Sequence, residues 1–222
     1  MSQYITFEDI QSNDTINTYL RRGNDVLGAK GYTEHSFVHA GRVANCAARI
    51  LKTLEYDAHD IELAKIAGYL HDLGNVVNRI NHEQSSALIA FTLLHDLGMP
   101  AEDIATIVSA IGSHDEGSGE PVSPVSAALI LADKSDVRRS RVRSTDLANF
   151  DIHDRVNYAV TRSDVEIDRE KGKIILNITI DQELCPLMDY FEIFIDRMIM
   201  CRRAALFLGM KFSLVINNTK LL

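Results

Sequence analysis

Residues 64–75 read AKIAGYLHDLGN, and this stretch decides the fold that we expect. Its apolar part is typical of a buried helix, and Gly74 is a residue type that commonly ends one. His71 and Asp72 therefore stand at a helix end. Because adjacent residues project about 100° apart on a helix, both side chains can face one cavity only if that end lies at the centre of a helical bundle.

Helical periodicity extends on both sides of this stretch. Apolar residues recur at steps of three and four, and Ser, Asp and Gly stand where helices begin and end. We expect helices over about residues 13–29, 33–54, 57–74, 82–97, 101–113, 123–136 and 152–161. The strongest helix-breaking segment, DEGSGEP at 115–121, separates the fifth of these from the sixth. The pattern predicts a bundle of six or seven helices.

The C-terminal part of the chain has a different pattern. Apolar residues alternate with polar ones before and after the turn REKG at 169–172, which is typical of an antiparallel hairpin. A helical stripe follows over 184–199, and a last strand over 212–216 is placed to join the hairpin. We therefore expect a mainly α protein, with a helical domain over 1–162 and a small C-terminal α/β appendage over 163–222.

Composition excludes several classes of protein. The 222 residues are 46% hydrophobic with 4 Pro and 12 Gly, which excludes long disorder. With 23 Lys and Arg against 31 Asp and Glu, the net charge of −8 argues against broad nucleic-acid binding, which needs a basic face. Three cysteines without a C-x-x-C pair, a start without a signal-peptide pattern and no long uncharged apolar run predict a reducing, cytoplasmic location without membrane contact.

Histidine and aspartate carry the chemistry that we expect. Five of the eight histidines are followed by Asp, so the dipeptide alone has no significance. The informative residues are those whose position directs them into the bundle: a mid-helix His on an apolar face, the pair at 71–72, two histidines at helix ends, and an Asp that ends the apolar run SAALILAD. A buried carboxylate is costly unless it is paired or bound to metal. The candidates are His39, His71, Asp72, His82, His114 and Asp133.

At this point the chain resembles the HD-domain superfamily of metal-dependent phosphohydrolases. The matching segments are EHSFVHAGRVA at 34–44, AGYLHDLG at 67–74 and LILADKSD at 129–136, and the likeness covers about residues 30–145. It implies an HD-domain helical bundle in which His39, His71, Asp72 and Asp133 hold one metal ion. Asp72 and His71 would be the catalytic residues, and imidazole with carboxylate suits Fe, Mn, Co, Ni or Zn.

The two further histidines, His82 and His114, resemble the extra ligands of the binuclear branch, in which the Asp bridges two ions. That branch includes HD-GYP cyclic-dinucleotide phosphodiesterases and a family of diadenosine tetraphosphate hydrolases. The likeness therefore implies one or two divalent transition-metal ions, with two favoured. The loop DEGSGEPV at 115–122 lacks the Gly-Tyr-Pro signature, and Asn75 stands where many members carry Lys.

Basic residues cluster directly after Asp133. Within this cluster Lys134, Arg138 and Arg139 are our candidates for binding a substrate phosphate through charge-assisted hydrogen bonds. A solvated helix end that favours cations is an equally good interpretation of the same residues.

Four other histidines are interpreted as surface residues. LHDLG at 94–98 repeats the motif of 70–74, but the next His lies 18 residues after Asp96. We therefore interpret His95 and Asp96 as residues at the end of a helix. His59 and His153 lie in first turns of helices. His35 precedes His39 by one turn and is expected to face solvent, with a contact to ligand or substrate as the alternative.

The resemblance implies metal-assisted hydrolysis of a phosphoester or phosphoanhydride in a small phosphorylated compound, with a nucleotide preferred, through hydroxide generated at the ions. A mononuclear nucleotidase-like site is the alternative within the same class. A catalytically silent protein that binds a nucleotide or metal is the alternative outside it. The apolar stripe at 184–199 could support a homodimer, although packing against the body is the more common use of such a face.

Overall fold

The computed structural model describes residues 5–117, 119–144 and 150–222. The helices come first and a small sheet lies near the end, as the sequence pattern predicts. The helices are α1 (Phe7–Ser12), α2 (Asp14–Ala29), α3 (Phe37–Thr53), α4 (Ala58–Leu70), α5 (His82–Asp96), α6 (Ala101–Gly112), α7 (Pro124–Lys134), α8 (Ile152–Ala159) and α9 (Leu187–Phe207). The strands are β1 (Val160–Asp168), β2 (Lys173–Ile180), β3 (Lys211–Ile216) and β4 (Thr219–Lys220). Short 3₁₀ helices span Leu73–Val76 and Arg139–Arg141.

Side-chain caps fix the starts of the helices. Ser36 accepts a hydrogen bond from the backbone N–H of Val38 before α3, and Asp57 and Ser123 cap α4 and α7 in the same way. The expected helices are thus confirmed to within a few residues at most ends. The exception is α1, which the sequence pattern missed because six residues are too short to show a period, although Thr6 forms a capping box with Asp9.

Helix α4 lies at the centre of the bundle and contacts α3, α6 and α7. Its residues from Leu63 onwards are buried on nearly every side, which explains why the stretch is so uniformly apolar. Gly68 allows α3 to approach closely, since a Cβ atom there would lie 2.7 Å from the Cα of Ala44. This close packing brings the end of α4, and with it His71, towards His39 on α3.

The C-terminal part forms a four-stranded sheet in the order β1-β2-β3-β4. Strands β1 and β2 form the expected antiparallel hairpin, with Gly172 at φ 62° in the turn. Strand β3 pairs parallel to β2, because α9 carries the chain back across the sheet, and β4 pairs antiparallel to β3. Strand β1 follows α8 directly, so the expected division after residue 162 falls inside a strand.

Helix α9 packs against α7 and so joins the appendage to the helical body. Its buried face contains Tyr190, Phe194 and Met198, while Met188 and Ile195 of the expected stripe are exposed. The apolar face is therefore rotated from the one that spacing alone suggested. Among the residues that the structure describes, we find no helix with both the length and the apolarity that crossing a membrane requires.

Candidate metal centre

Five different segments bring the six expected side chains to one place. His39 lies in the first turn of α3, His71 and Asp72 follow α4 directly, and His82 is the first residue of α5. The remaining two come from the ends of α6 and α7: His114 follows the former, and Asp133 is the penultimate residue of the latter. The four imidazoles and Asp72 are buried, and only 13% of the Asp133 side chain is exposed.

Four of these residues form a compact group of ligand atoms. The Nε2 atom of His39 lies 3.2 Å from Nε2 of His71, 3.5 Å from Oδ2 of Asp72 and 3.3 Å from Oδ1 of Asp133. His71 Nε2 lies 3.4 Å and 3.6 Å from the same two oxygens. Ligands held at about 2.1 Å from a tetrahedral or octahedral ion are about 3.0–3.4 Å apart. The spacing therefore fits a single cation at the centre of this group.

A second group shares Asp72 with the first. The other carboxylate oxygen, Oδ1, lies 3.4 Å from Nε2 of His82. Ligand atoms of Asp72, His82 and His114 all lie within 4.8 Å of one another, as do those of His71, His114 and Asp133. The two oxygens of one carboxylate thus face two different sets of imidazoles, which is the arrangement expected of a bridging ligand.

All four imidazoles present the same nitrogen to the centre. His71, His82 and His114 each place Nδ1 within hydrogen-bond distance of a backbone carbonyl, that of Gly68, Arg79 and Ile111, at 2.9, 3.1 and 2.6 Å. The Nδ1 atom of His39 instead faces a carboxylate, Oδ2 of Asp136, at 2.8 Å. These acceptors fix the protonated nitrogen as Nδ1 and leave the Nε2 lone pairs for a ligand.

One polar atom at the centre lacks a hydrogen-bond partner among the described residues. Oδ2 of Asp72 is buried and accepts no hydrogen bond, although it lies in contact with two imidazole nitrogens. Leaving a buried charged oxygen unsatisfied is costly, and a cation bound between it and the Nε2 atoms would remove that cost. The donor set, its spacing and this orphaned atom together fit a divalent transition metal.

The charges of the centre also suit a metal. Burial raises the pKa of Asp72, but the neighbouring His71 and His35 outweigh it and hold that pKa well below its usual value. Burial lowers the pKa of His71, yet Asp72 and Asp133 raise it to about 10 in the protein without metal. Burial lowers the pKa values of His82 and His114. The last two are therefore neutral imidazoles, the form that binds metal.

The residues that support the ligands carry no periodic signal in the sequence. Asp136 accepts hydrogen bonds from Arg42 and Arg138 in addition to its contact with His39. Asn75 donates to Oδ1 of Asp72 at 2.8 Å, and Arg79 lies 3.7 Å from the same atom. Arg79 thus supplies a cation beside Asp72. Its position on the loop before α5 gives no periodic signal.

The three expected phosphate-binding residues are found in different environments. Lys134 is buried between Asp133 at 2.8 Å and Glu116 at 3.3 Å. Burial lowers the pKa of Lys134, but these two carboxylates raise it above its usual value. Arg138 pairs with Asp136 and with Glu34. Arg139 donates to the carbonyl of Tyr158 and stacks on its ring, so it is directed towards α8 rather than towards the six ligands.

The structure also shows the surroundings of three histidines outside the centre. His95 and Asp96 are more than two-thirds exposed at the end of α5, where they pair with each other at 3.6 Å. His59 contacts Asp103 on the surface. The expectation for His35 needs correction: it is half-buried, and its ring centre lies 5.4 Å from that of His39. The loop before α3 turns His35 inwards, which a count of helical steps could not reveal.

A cavity of about 200 Å³ lies beside this centre. The cavity is lined by the loop before α3, by Arg79 and Arg141, and by parts of α8 and α9. Asp151 and Asp154 contribute two carboxylates to this lining. His35 connects the cavity to His39, and Arg79 connects it to Asp72. A small molecule in the cavity would therefore lie next to the ligand atoms.

Parts of this chain are similar to known proteins. The family model described as the HD domain matches residues 36–138. An uncharacterized protein of Methanocaldococcus jannaschii, MJ1020, is 27% identical, and the match covers 74% of this chain and 72% of that protein. The match to the archaeal protein thus extends well beyond the family model.

Ribonuclease Y of Latilactobacillus sakei and of Bacillus subtilis are each 29% identical over 119 residues. These matches cover 54% of this chain but only 21% of either ribonuclease, so the shared part is about a fifth of those proteins. A crystal structure of a predicted HD superfamily hydrolase from an uncultured Thermotogales bacterium aligns with a TM-score of 0.45 and 26% identity, covering 56% of this chain and 67% of that one.

Proposed function

We propose that the HD domain of this chain, residues 36–138, is the catalytic part of a metal-dependent phosphohydrolase. The reaction is hydrolysis of a phosphoester or phosphoanhydride bond in a small phosphorylated compound, with a nucleotide as the preferred substrate. The observation that supports it best is Asp72, whose two carboxylate oxygens face separate groups of imidazole nitrogens.

His39, His71, Asp72 and Asp133 would hold one ion, and Asp72, His82 and His114 would hold a second. Bound divalent ions would acidify a water molecule and offset the negative charge that develops on phosphoryl oxygens. Asp72 provides negative charge to both positions. The acceptors behind the imidazoles keep each Nε2 directed inwards, and Asp136 adds a charged acceptor at His39.

The charges around the centre favour an anionic substrate. Four carboxylates, those of Asp72, Asp133, Asp136 and Glu116, are offset by nearby cations, among them Lys134, Arg79, Arg138 and Arg197. The protein groups alone are therefore close to neutral, and any divalent ion gives the centre a positive charge. A phosphorylated compound would restore the balance. Tyr32, exposed at the rim of the cavity, offers an aromatic face for a nucleobase.

Metal analysis combined with a substrate screen tests this function. Protein purified without chelator should retain close to two transition-metal ions per chain after loading with Mn²⁺, and should release phosphate from members of a panel of phosphorylated compounds. Retention of only one ion after loading would support a mononuclear nucleotidase instead. Tight retention of a nucleotide without turnover of any compound in the panel would support the silent binding protein and contradict the proposal.

A further inference from the structure

The cavity beside the metal centre is lined by three arginines from separate segments. Arg79 comes from the loop before α5, Arg141 from the segment after α7, and Arg197 from α9. Two of them lie outside residues 36–138, which the HD family model matches. The cavity is therefore completed by parts of the chain that the family does not define.

The guanidinium groups of Arg141 and Arg197 are held by contacts that use only some of their N–H donors. Arg141 is 4% exposed and donates from Nε to the carbonyl of Glu34 and from Nη1 to that of Asp136. Arg197 places Nε 2.7 Å from Oε1 of Glu116 and rests 4.4 Å from the ring centre of Phe194. Because a guanidinium carries five N–H donors, these contacts leave donors that an anion in the cavity can use.

We propose that this cavity binds a terminal phosphoryl group, and that Arg197 of the C-terminal appendage makes the site selective for phosphomonoester dianions. The inference rests on the proposed function and deepens it. Planar guanidinium groups bind phosphate oxygens in pairs of parallel hydrogen bonds, and three of them around one cavity suit a group with three terminal oxygens. A diester has one charge fewer and one terminal oxygen fewer, so it can accept fewer of these hydrogen bonds.

The size of the cavity favours a compact ligand as well. Its volume of about 200 Å³ is below the ~300–1,000 Å³ of pockets that enclose drug-sized molecules. Phe194 and Arg197 on α9 and Asp154 and Asn157 on α8 are among the residues that line it. A polynucleotide, the substrate that the name ribonuclease Y indicates for two relatives, would need a longer binding surface than a cavity of this volume offers.

Binding of inorganic phosphate tests the site independently of turnover. Calorimetric titration of the Mn²⁺-loaded protein should show phosphate binding that is weakened at least about tenfold by Arg197→Gln, since the variant loses a charge-assisted contact. Arg197→Lys retains the charge but not the planar pair of donors. Its phosphate affinity should lie between that of the parent and that of Arg197→Gln. Arg202→Gln, on the exposed side of the same helix, is the matched control and should bind as the parent does.

Kinetics supply the second measurement. For para-nitrophenyl phosphate, Arg197→Gln should raise KM about tenfold or more with a smaller change in kcat, and the parent should prefer this monoester to bis-para-nitrophenyl phosphate. Equal phosphate affinity in the parent and in Arg197→Gln, or a parent preference for the diester or for internal cleavage of an oligoribonucleotide, would overturn the inference while leaving the proposed function intact. Phosphate binding that depends on Arg197, in a protein that hydrolyses no phosphorylated compound, would uphold the anion site and refute the proposed function.

Discussion

The Nδ1 atom of His39 lies 2.8 Å from Oδ2 of Asp136, a residue 97 positions later in the chain. The contact joins the start of α3 to the segment that follows α7. Arg42 and Arg138 bind the other oxygen of the same carboxylate at 2.9 and 3.1 Å, so Asp136 is held firmly and its charge is shared. Burial raises the pKa of Asp136, but His39, Arg141 and Arg138 outweigh it and hold that pKa far below its usual value.

Replacing Asp136 with Asn should weaken metal binding without unfolding the protein. The amide can still accept the Nδ1 proton of His39, but it removes the charge that makes the imidazole a better ligand. Loss of such a supporting carboxylate typically lowers metal affinity about 10- to 100-fold. Competition with a coloured chelator measures the change. Asp103→Asn is the matched control, because Asp103 also contacts a histidine at 2.8 Å, His59, but on the surface. An Asp136→Asn protein with parental affinity would contradict the assigned role.

Asp72→Ala should abolish both metal retention and phosphatase activity, because each group of ligands depends on one oxygen of this carboxylate. The circular dichroism spectrum should remain that of a helical protein. Asp96→Ala is the control that the chain itself provides, since Asp96 is the aspartate of the second LHDLG segment and its side chain is 73% exposed. If Asp72→Ala hydrolysed phosphoesters as fast as the parent, the proposed mechanism would be wrong.

His82→Ala should separate the two positions. His82 contacts Oδ1 of Asp72, whereas His39 and His71 contact Oδ2, so removal of His82 affects only the second group of ligands. We expect elemental analysis to show close to one Mn²⁺ per chain in His82→Ala and close to two in the parent. His95→Ala, on the exposed side of the same helix, serves as the control. Equal metal content in His82→Ala and the parent would exclude a second ion at this position.

Order and type of residue were sufficient to identify the six candidate ligands, because each stands at a helix end or on an apolar helix face where a polar side chain needs an explanation. Supporting residues lack such a signal. Asp136 follows Asp133 by three residues in a polar segment, and its partner His39 is distant in the chain. Arg197 resembles any charged residue on the exposed side of a helix until the packing of α9 against α7 brings it to Glu116.

Tertiary packing also explains why the position of Arg139 differs from the one expected from the sequence. Proximity in sequence to Asp133 makes Arg139 a candidate, but the 3₁₀ helix over Arg139–Arg141 directs Arg139 to Tyr158 and Arg141 into the interior. Neighbours in sequence take opposite directions there because the backbone no longer follows an α-helical period. Tertiary packing, rather than spacing, decides which cation meets the centre.

Two glycines test how far the packing of α3 on α4 controls the centre. A methyl group at Gly68 would lie 2.7 Å from the Cα of Ala44 and 2.8 Å from its nitrogen, both backbone atoms that cannot move without moving α3. Gly68→Ala should therefore destabilise the protein by about 1–3 kcal/mol, as overpacking commonly does. Gly41 also lies within a helix, but no atom lies within 4 Å of a methyl group placed there. Gly41→Ala should stabilise the protein by about 0.5–1 kcal/mol, because alanine favours the helix.

Urea unfolding of the proteins, freed of metal with a chelator, measures the change in the free energy of unfolding for both variants. Since Gly68 lies three residues before His71, separation of the two helices would also increase the distance from His71 to His39, now 3.2 Å between their Nε2 atoms. Gly68→Ala should consequently bind Mn²⁺ more weakly, whereas Gly41→Ala, two residues after His39, should retain parental affinity. Parental stability and affinity in Gly68→Ala would mean that the approach of α3 to α4 does not set the position of the ligands.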